Sequence, residues 1–168
     1  MSIKRVMIVE DSPEISSYLR IKLVKFGYTI IGCFNNGKDA IDNYHNLQPD
    51  LILMDIYIQG NLTGIETAAE ILKKSFIPII YLTTSTANDV FEKAKETMPF
   101  GYILKPFKDK ELQNAIEIAL YKAGVEKELQ ASRARYAALY DFSPTGYFTL
   151  DNNAKILEIN LTGSTQLG

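Results

Sequence analysis

Along the first 120 residues, compact apolar runs alternate with longer segments whose apolar residues fall three and four apart. The first pattern predicts strands with both faces buried, and the second predicts amphipathic helices. "KRVMIVE" (4–10) reads as a strand, and "SPEISSYLRIKLVKFG" (12–27) as the helix that follows it. Ser12 is its predicted N-cap, Pro13 opens its first turn and Gly27 stops it. "YTIIGCF" (28–34) and "NGKDAIDNYHNL" (36–47) form the next strand and helix. "PDLILMD" (49–55) is apolar at successive positions, as a central parallel strand should be. The rhythm continues with "TGIETAAEILKKS" (63–75), "IPIIYLTT" (77–84), "ANDVFEKAKETM" (87–98), "FGYILK" (100–105) and "DKELQNAIEIALYKA" (109–123). Repeated strand–helix units predict an α/β fold, an open, doubly wound parallel sheet with helices on both faces.

After residue 120 the rhythm stops. "YKAGVEKELQASRARYAALYDF" (121–142) has no strand signal and continues the preceding helix through roughly Leu139. Ile118, Val125, Leu129, Tyr136 and Leu139 lie on a heptad-like track, with Lys122 and Ser132 filling the gaps. One copy of this helix would leave the track wet, so a parallel homodimer is expected. Gly124 weakens the helix by about 1 kcal/mol relative to Ala and allows a bend. "TGYFTLDNNAKILEIN" (145–160) reads as two short strands around a turn at Asn152–Asn153, and "LTGSTQLG" as the start of a helix. About 30 such residues cannot build a core alone, so this segment is expected to order on the helix or on a neighbouring chain.

Composition narrows the function classes. The formal net charge is −2, so neither nucleic acid nor an anionic membrane is an obvious partner. No apolar run approaches the roughly 20 residues of a membrane span, and the N-terminus turns acidic too soon for a signal peptide. The single cysteine, Cys33, excludes an intrachain disulfide and fits a reducing cytoplasm. It is expected in the core, as free cysteines usually are. The single histidine, His45, has no Cys or His neighbours in sequence and reads as a surface residue.

The chemistry is expected where the parallel strands end, because open α/β sheets bind ligands at their carboxyl edge. Those ends carry Glu10 and Asp11, then Asp55, then Thr83, then Lys105 with Pro106. Three carboxylates on one edge repel one another unless a cation joins them, and a hard divalent ion such as Mg²⁺ suits all-oxygen donors. A phosphoryl group would complete the set, with Asp55 as nucleophile and Thr83 and Lys105 on the phosphoryl oxygens. Taken singly, each signal has an ordinary reading: a helix-start acidic pair, a strand-end cap, a strand-end hydroxyl and a Lys-Pro loop entry. Their joint occurrence at successive strand ends favours a built site.

The series "VED", "LILMD", "IIYLTT" and "GYILKPF" resembles the receiver domain of two-component response regulators, over residues 3 to about 122. The resemblance implies a flavodoxin-like, five-stranded sheet in the order 2-1-3-4-5. It implies that Asp55 is the phosphoacceptor for a sensor histidine kinase. Asp11 would bind Mg²⁺ (or Mn²⁺) directly, Glu10 mainly through water, and the backbone carbonyl of Tyr57 would be a further ligand. Thr83 and Lys105 would contact the phosphoryl group, the Lys105–Pro106 bond would be cis, and Tyr102 would be a switch aromatic. Tyr57 and Ser85 occupy the positions that tune hydrolysis in this family. The sequence departs in having Glu rather than Asp as its first acid, a longer loop "IYIQGNLTGIE", and Thr63-Gly64 where Asp-Gly is frequent. Less extensively, "RYAALYDFSPTGYFTLDNNAKILEINLTGSTQLG" resembles the opening of a PAS sensor domain.

The expected organisation is a receiver at 1–122, a signalling helix at 123–140 and a PAS-like fragment at 141–168. Dimerisation is expected through the C-terminal helix, the face of the fourth helix, fifth strand and fifth helix, or both. The expected role is a cytoplasmic phosphorylation switch that phosphorylates and dephosphorylates itself, not a turnover enzyme. The alternative is a receiver-like interaction module that works without phosphate. An aspartyl phosphatase would need a second acid two residues after the nucleophile, where Tyr57 stands. A dinucleotide site would need glycines in the first strand–helix turn, which reads "EDSPE".

Overall fold

A computed structural model describes residues 3–84 and 97–167. The chain divides into two compact units, residues 1–123 and 124–168. In the first, β1 (Arg5–Val9), β2 (Thr29–Phe34), β3 (Leu51–Asp55), β4 (Ile79–Thr83) and β5 (Gly101–Leu104) form one sheet in the order β2-β1-β3-β4-β5. Every pairing is parallel. This is the doubly wound parallel sheet that the strand–helix rhythm predicts, in the flavodoxin-like strand order that the resemblance implies. The helix expected over 87–98 lies outside the described residues except for its last two positions, and so does Ser85.

The period-2 alternation of the central strands divides the core between the two faces of the sheet. Met7, Val9, Ile52, Met54, Ile79 and Tyr81 pack against Ala40 and Tyr44 of α2 (Gly37–Leu47) and Ala68 and Ile71 of α3 (Gly64–Leu72). Val6, Ile8, Leu51, Leu53, Ile80 and Leu82 pack against Leu19 and Leu23 of α1 (Pro13–Lys25). On the same face lie Leu112, Ile116 and Ala119 of α4 (Asp109–Asp141). β1, β3 and β4 are therefore covered on both sides, which explains their uninterrupted apolar sequences.

The helices begin where capping chemistry places them. Ser12 accepts from the amide of Ile15, Asn36 from Asp39, and Thr63 forms a reciprocal capping box with Glu66. After α1 the chain turns at Gly27, whose φ of +87° an L side chain would resist. Cys33 departs from expectation: it lies in β2 but is exposed. The reason is position, since β2 is the edge of the sheet and lacks the two-sided cover of the central strands. His45 is exposed on α2.

The second unit holds the rest of α4, the antiparallel hairpin β6 (Phe148–Leu150) and β7 (Ile156–Ile159), and α5 (Leu161–Leu167). Gly124 lies inside the helix, so the loss of about 1 kcal/mol does not end it. The hairpin turns through Asp151, whose carboxylate accepts from the amides of Asn153 and Lys155. Asn160 is fully buried and ties the unit together. Its Nδ2 donates to the carbonyls of Tyr140 and Thr145, and its Oδ1 accepts from the amides of Tyr147 and Gly163. The hairpin is thus bonded to the end of α4 through one side chain, with its hydrogen-bonding capacity used.

The central strands should dominate stability. Leu53 is fully buried, and Leu53→Ala should cost about 2–5 kcal/mol by urea denaturation. At the exposed edge, Cys33→Ser should stay within about 0.5 kcal/mol of the parent protein.

Candidate functional site

The residues singled out at the strand ends are held by backbone bonds that extend the sheet ladders past the strands. Glu10 donates its amide to the carbonyl of Phe34 (2.9 Å), Ile56 to Leu82 (3.1 Å), and Lys105 to Thr83 (2.7 Å). The first residues after β1, β3 and β5 therefore keep sheet register. The sheet edge presents Glu10 (3% exposed), Asp55 (6%) and Thr83 (7%).

Lys105 reaches across this edge. Its Nζ lies 2.6 Å from Oε2 of Glu10 and 2.6 Å from Oδ2 of Asp55, and its side chain is almost wholly buried. The remaining oxygens have their own donors. The amide of Ser12 donates to Oε1 of Glu10 (3.2 Å), and that of Tyr57 to Oδ1 of Asp55 (3.2 Å). Glu10, Asp11 and Asp55 each offer one carboxylate oxygen within 4.8 Å of the others. Burial pushes the Glu10 carboxyl above its ordinary range, and the charge of Asp55 adds to this. Lys105 opposes both without cancelling them. Three carboxylates thus stand around a single ammonium.

A small hard cation answers that imbalance. Octahedral Mg²⁺ spaces adjacent oxygen donors about 3 Å apart and opposite ones about 4 Å apart. The three carboxylates are gathered to within 4.8 Å, close to that span, and their oxygen-only chemistry suits the ion. Close packing beneath the site is set by Gly64. A Cβ there would fall 1.8 Å from the carbonyl oxygen of Asp55, while the Gly64 amide bonds the carbonyl of Ile56 (2.9 Å). The long 56–63 loop is thus anchored directly under Asp55, and glycine is the residue that permits it.

The other sequence candidates sit nearby. Tyr57 is half-exposed in the loop after Asp55. The Lys105–Pro106 peptide is cis. Tyr102 pairs with Tyr81 across β4 and β5, their ring centroids 5.9 Å apart, and packs on the core.

Residues 6–117 match the response regulator receiver domain family. The chain belongs to that family. Among curated relatives, it is 33% identical over 136 residues to the transcriptional regulatory protein PdtaR of Mycobacterium tuberculosis. That match covers 81% of this chain and 64% of PdtaR. The signal receiver domain of a modulated diguanylate cyclase from Desulfovibrio desulfuricans G20 is 39% identical, with a TM-score of 0.71 over 74% of this chain and 99% of that one. The N-terminal domain of a response regulator/sensory box/GGDEF three-domain protein from Carboxydothermus hydrogenoformans is 34% identical. Its TM-score is 0.66, over 73% of this chain and 99% of that one. The receiver fold is common to this chain and these two solved domains.

The raised Glu10 carboxyl has a pH consequence. The folded chain holds this proton more tightly than the unfolded chain, whose ordinary value is 4.5. Without divalent metal, this group therefore makes the receiver less stable as pH rises from 4.5 through the folded value. Denaturation in a chelator at increasing pH above 4.5 should show that fall, and Glu10→Gln should flatten it.

Proposed function

We propose that the receiver is a phosphoacceptor in which Asp55 takes a phosphoryl group from a phosphohistidine of a sensor histidine kinase. The observation that carries this reading is Lys105, whose Nζ lies 2.6 Å from both Asp55 and Glu10 with Asp11 beside them. A carboxylate oxygen of Asp55 forms a bond to phosphorus as the phosphorus–nitrogen bond breaks, and the imidazole leaves with the electron pair. The Lys105 ammonium and the Thr83 hydroxyl then hydrogen-bond phosphoryl oxygens. Asp11 and Asp55 would hold Mg²⁺ or Mn²⁺ directly, with Glu10 through water and the Tyr57 carbonyl as a further ligand. When bound, that ion neutralises charge on the transferring group. Water later hydrolyses the acyl phosphate and restores Asp55. The cycle acts on the chain's own side chain, which makes it a signalling reaction rather than turnover of an external substrate.

The signal would leave the site through Thr83 and Tyr102, which lie on the adjacent strands β4 and β5. Thr83 moves toward the phosphoryl group and Tyr102 fills the space behind it. Residues 123–140 would carry the change as a signalling helix into a PAS-like segment at 141–168. The order of parts named for the Carboxydothermus protein, a sensory box after a response regulator, supports this arrangement. Ile118, Val125, Leu129, Tyr136 and Leu139 are all exposed along α4. Parallel pairing of two copies along that track would cover them and make a homodimer. No helix of the described residues is long and apolar enough to cross a membrane, and a cytoplasmic receiver accords with that.

Acetyl phosphate with Mg²⁺ should add one phosphoryl group to the protein by intact mass. Asp55→Ala or a chelator should abolish the addition. Equal labelling of Asp55→Ala would place the acceptor elsewhere, and an unlabelled parent protein would favour a phosphorylation-independent interaction module. Sedimentation provides a separate check on pairing. The full chain should dimerise more tightly than a version ending near Lys122, whereas identical monomers at high concentration would exclude the helix as the interface.

A further inference from the structure

The phosphoacceptor reading leaves open how Lys105 is held at its distance from the acids. It is the first residue of a short connection, Lys105–Lys108, between β5 and α4. At the near end the connection is tied to the sheet by the Lys105 amide on Thr83. At the far end it is gripped by α1. Tyr18 Oη donates to Oδ1 of Asp109 at 2.5 Å, and Lys22 Nζ to Oδ2 at 2.7 Å, so each carboxylate oxygen has its own donor. Between the ends, the ring of Phe107 packs against Tyr18 with centroids 5.9 Å apart. Lys22 Nζ stands 5.3 Å from the centre of the Tyr18 ring. Tyr18 and Lys22 are one helical turn apart and face the same way.

The other end of α1 is rooted in the acids. Ser12, its N-cap, directly follows Asp11 and donates its amide to Glu10, and Pro13 begins the helix. One rigid helix thus meets the carboxylate half of the site at its start and the lysine-bearing connection one and two turns later. The geometry points to Tyr18, Lys22 and Asp109 as a positioning clamp that fixes where Lys105 stands relative to Asp55. This inference rests on the phosphoacceptor reading for its consequence, but the clamp itself is a statement about Lys105. Asp109 and Lys22 are partly solvent-exposed, and such pairs contribute little to global stability. Their effect is on placement, where small displacements of a charge near the reacting atoms have large effects on rate. The pairing also holds the Asp109 carboxyl below its ordinary range and pushes the Tyr18 hydroxyl up to about 12. At neutral pH Asp109 is therefore the ionised acceptor and Tyr18 a neutral hydroxyl donor.

The test is the rate of Asp55 labelling by acetyl phosphate, a small donor that needs no kinase docking, at saturating Mg²⁺. Tyr18→Phe and Asp109→Asn should each slow labelling about three- to tenfold. The half-saturating Mg²⁺ concentration should stay within about twofold and the melting temperature should barely move, since neither residue touches the acids. In a Lys105→Ala background, followed over longer times, the same substitutions should add nothing. Parent-like rates in the single variants, or equal slowing without Lys105, would overturn the clamp. If the parent protein takes no label, the phosphoacceptor reading fails and the clamp is judged by NMR on the metal-free protein. Tyr18→Phe should then shift the Lys105 Nζ resonance, and an unmoved resonance would refute it.

Discussion

One ammonium group, the Nζ of Lys105, makes the carboxyl edge of this sheet tenable. Two nearly buried carboxylates, Glu10 and Asp55, lie within hydrogen-bonding distance of it, and Asp11 stands alongside. Removing those charges from water is costly, and setting them side by side is more so. Lysine offsets part of that, which is why Glu10 still binds its proton more tightly than an ordinary glutamate. The remaining imbalance is what a divalent cation, and with it the phosphoryl group of the proposed reaction, would relieve. A cluster that was fully neutralised would have nothing to gain from either.

The rest of the receiver serves to hold that arrangement. Parallel strands in the order β2-β1-β3-β4-β5 bring residues far apart in sequence to one edge, and the amide bonds of Glu10, Ile56 and Lys105 carry strand register one residue further. Apolar packing covers β1, β3 and β4 on both faces. Gly64 lets the loop after β3 close against Asp55, where any side chain would collide with the Asp55 carbonyl. Glu10 and Asp55 are therefore held at the ends of fully covered strands, as preorganised electrostatics requires.

Most of this fold was legible in the sequence because its central strands are buried on both faces and its helices carry explicit caps. Ser12, Asn36 and Thr63 each stand where a side chain must meet free helix amides. The strand-end acids and Lys105 were visible because topology alone assigns them to one edge. Cys33 was misread because residue type says nothing about whether a strand lies at the edge of a sheet. The contacts of Tyr18 and Lys22 with Asp109 had no sequence signal, since partners some ninety positions apart meet only through folding. Asn160 was likewise invisible: its four hydrogen bonds go to backbone groups, which carry no residue code. Gly124 shows how weak a local propensity is beside the length of α4 that continues on either side of it.

The central claim is that the charge imbalance at this edge is directed onto Asp55. Borohydride reduction of the protein after acetyl phosphate and Mg²⁺ treatment tests it most directly, because the reagent converts an acyl phosphate to an alcohol at the modified residue. Peptide mapping should find the reduced side chain at position 55, and Lys105→Ala should diminish its yield. Reduction at Glu10 or Asp11, or at no carboxylate of the cluster in a protein that has gained phosphate, would contradict the account.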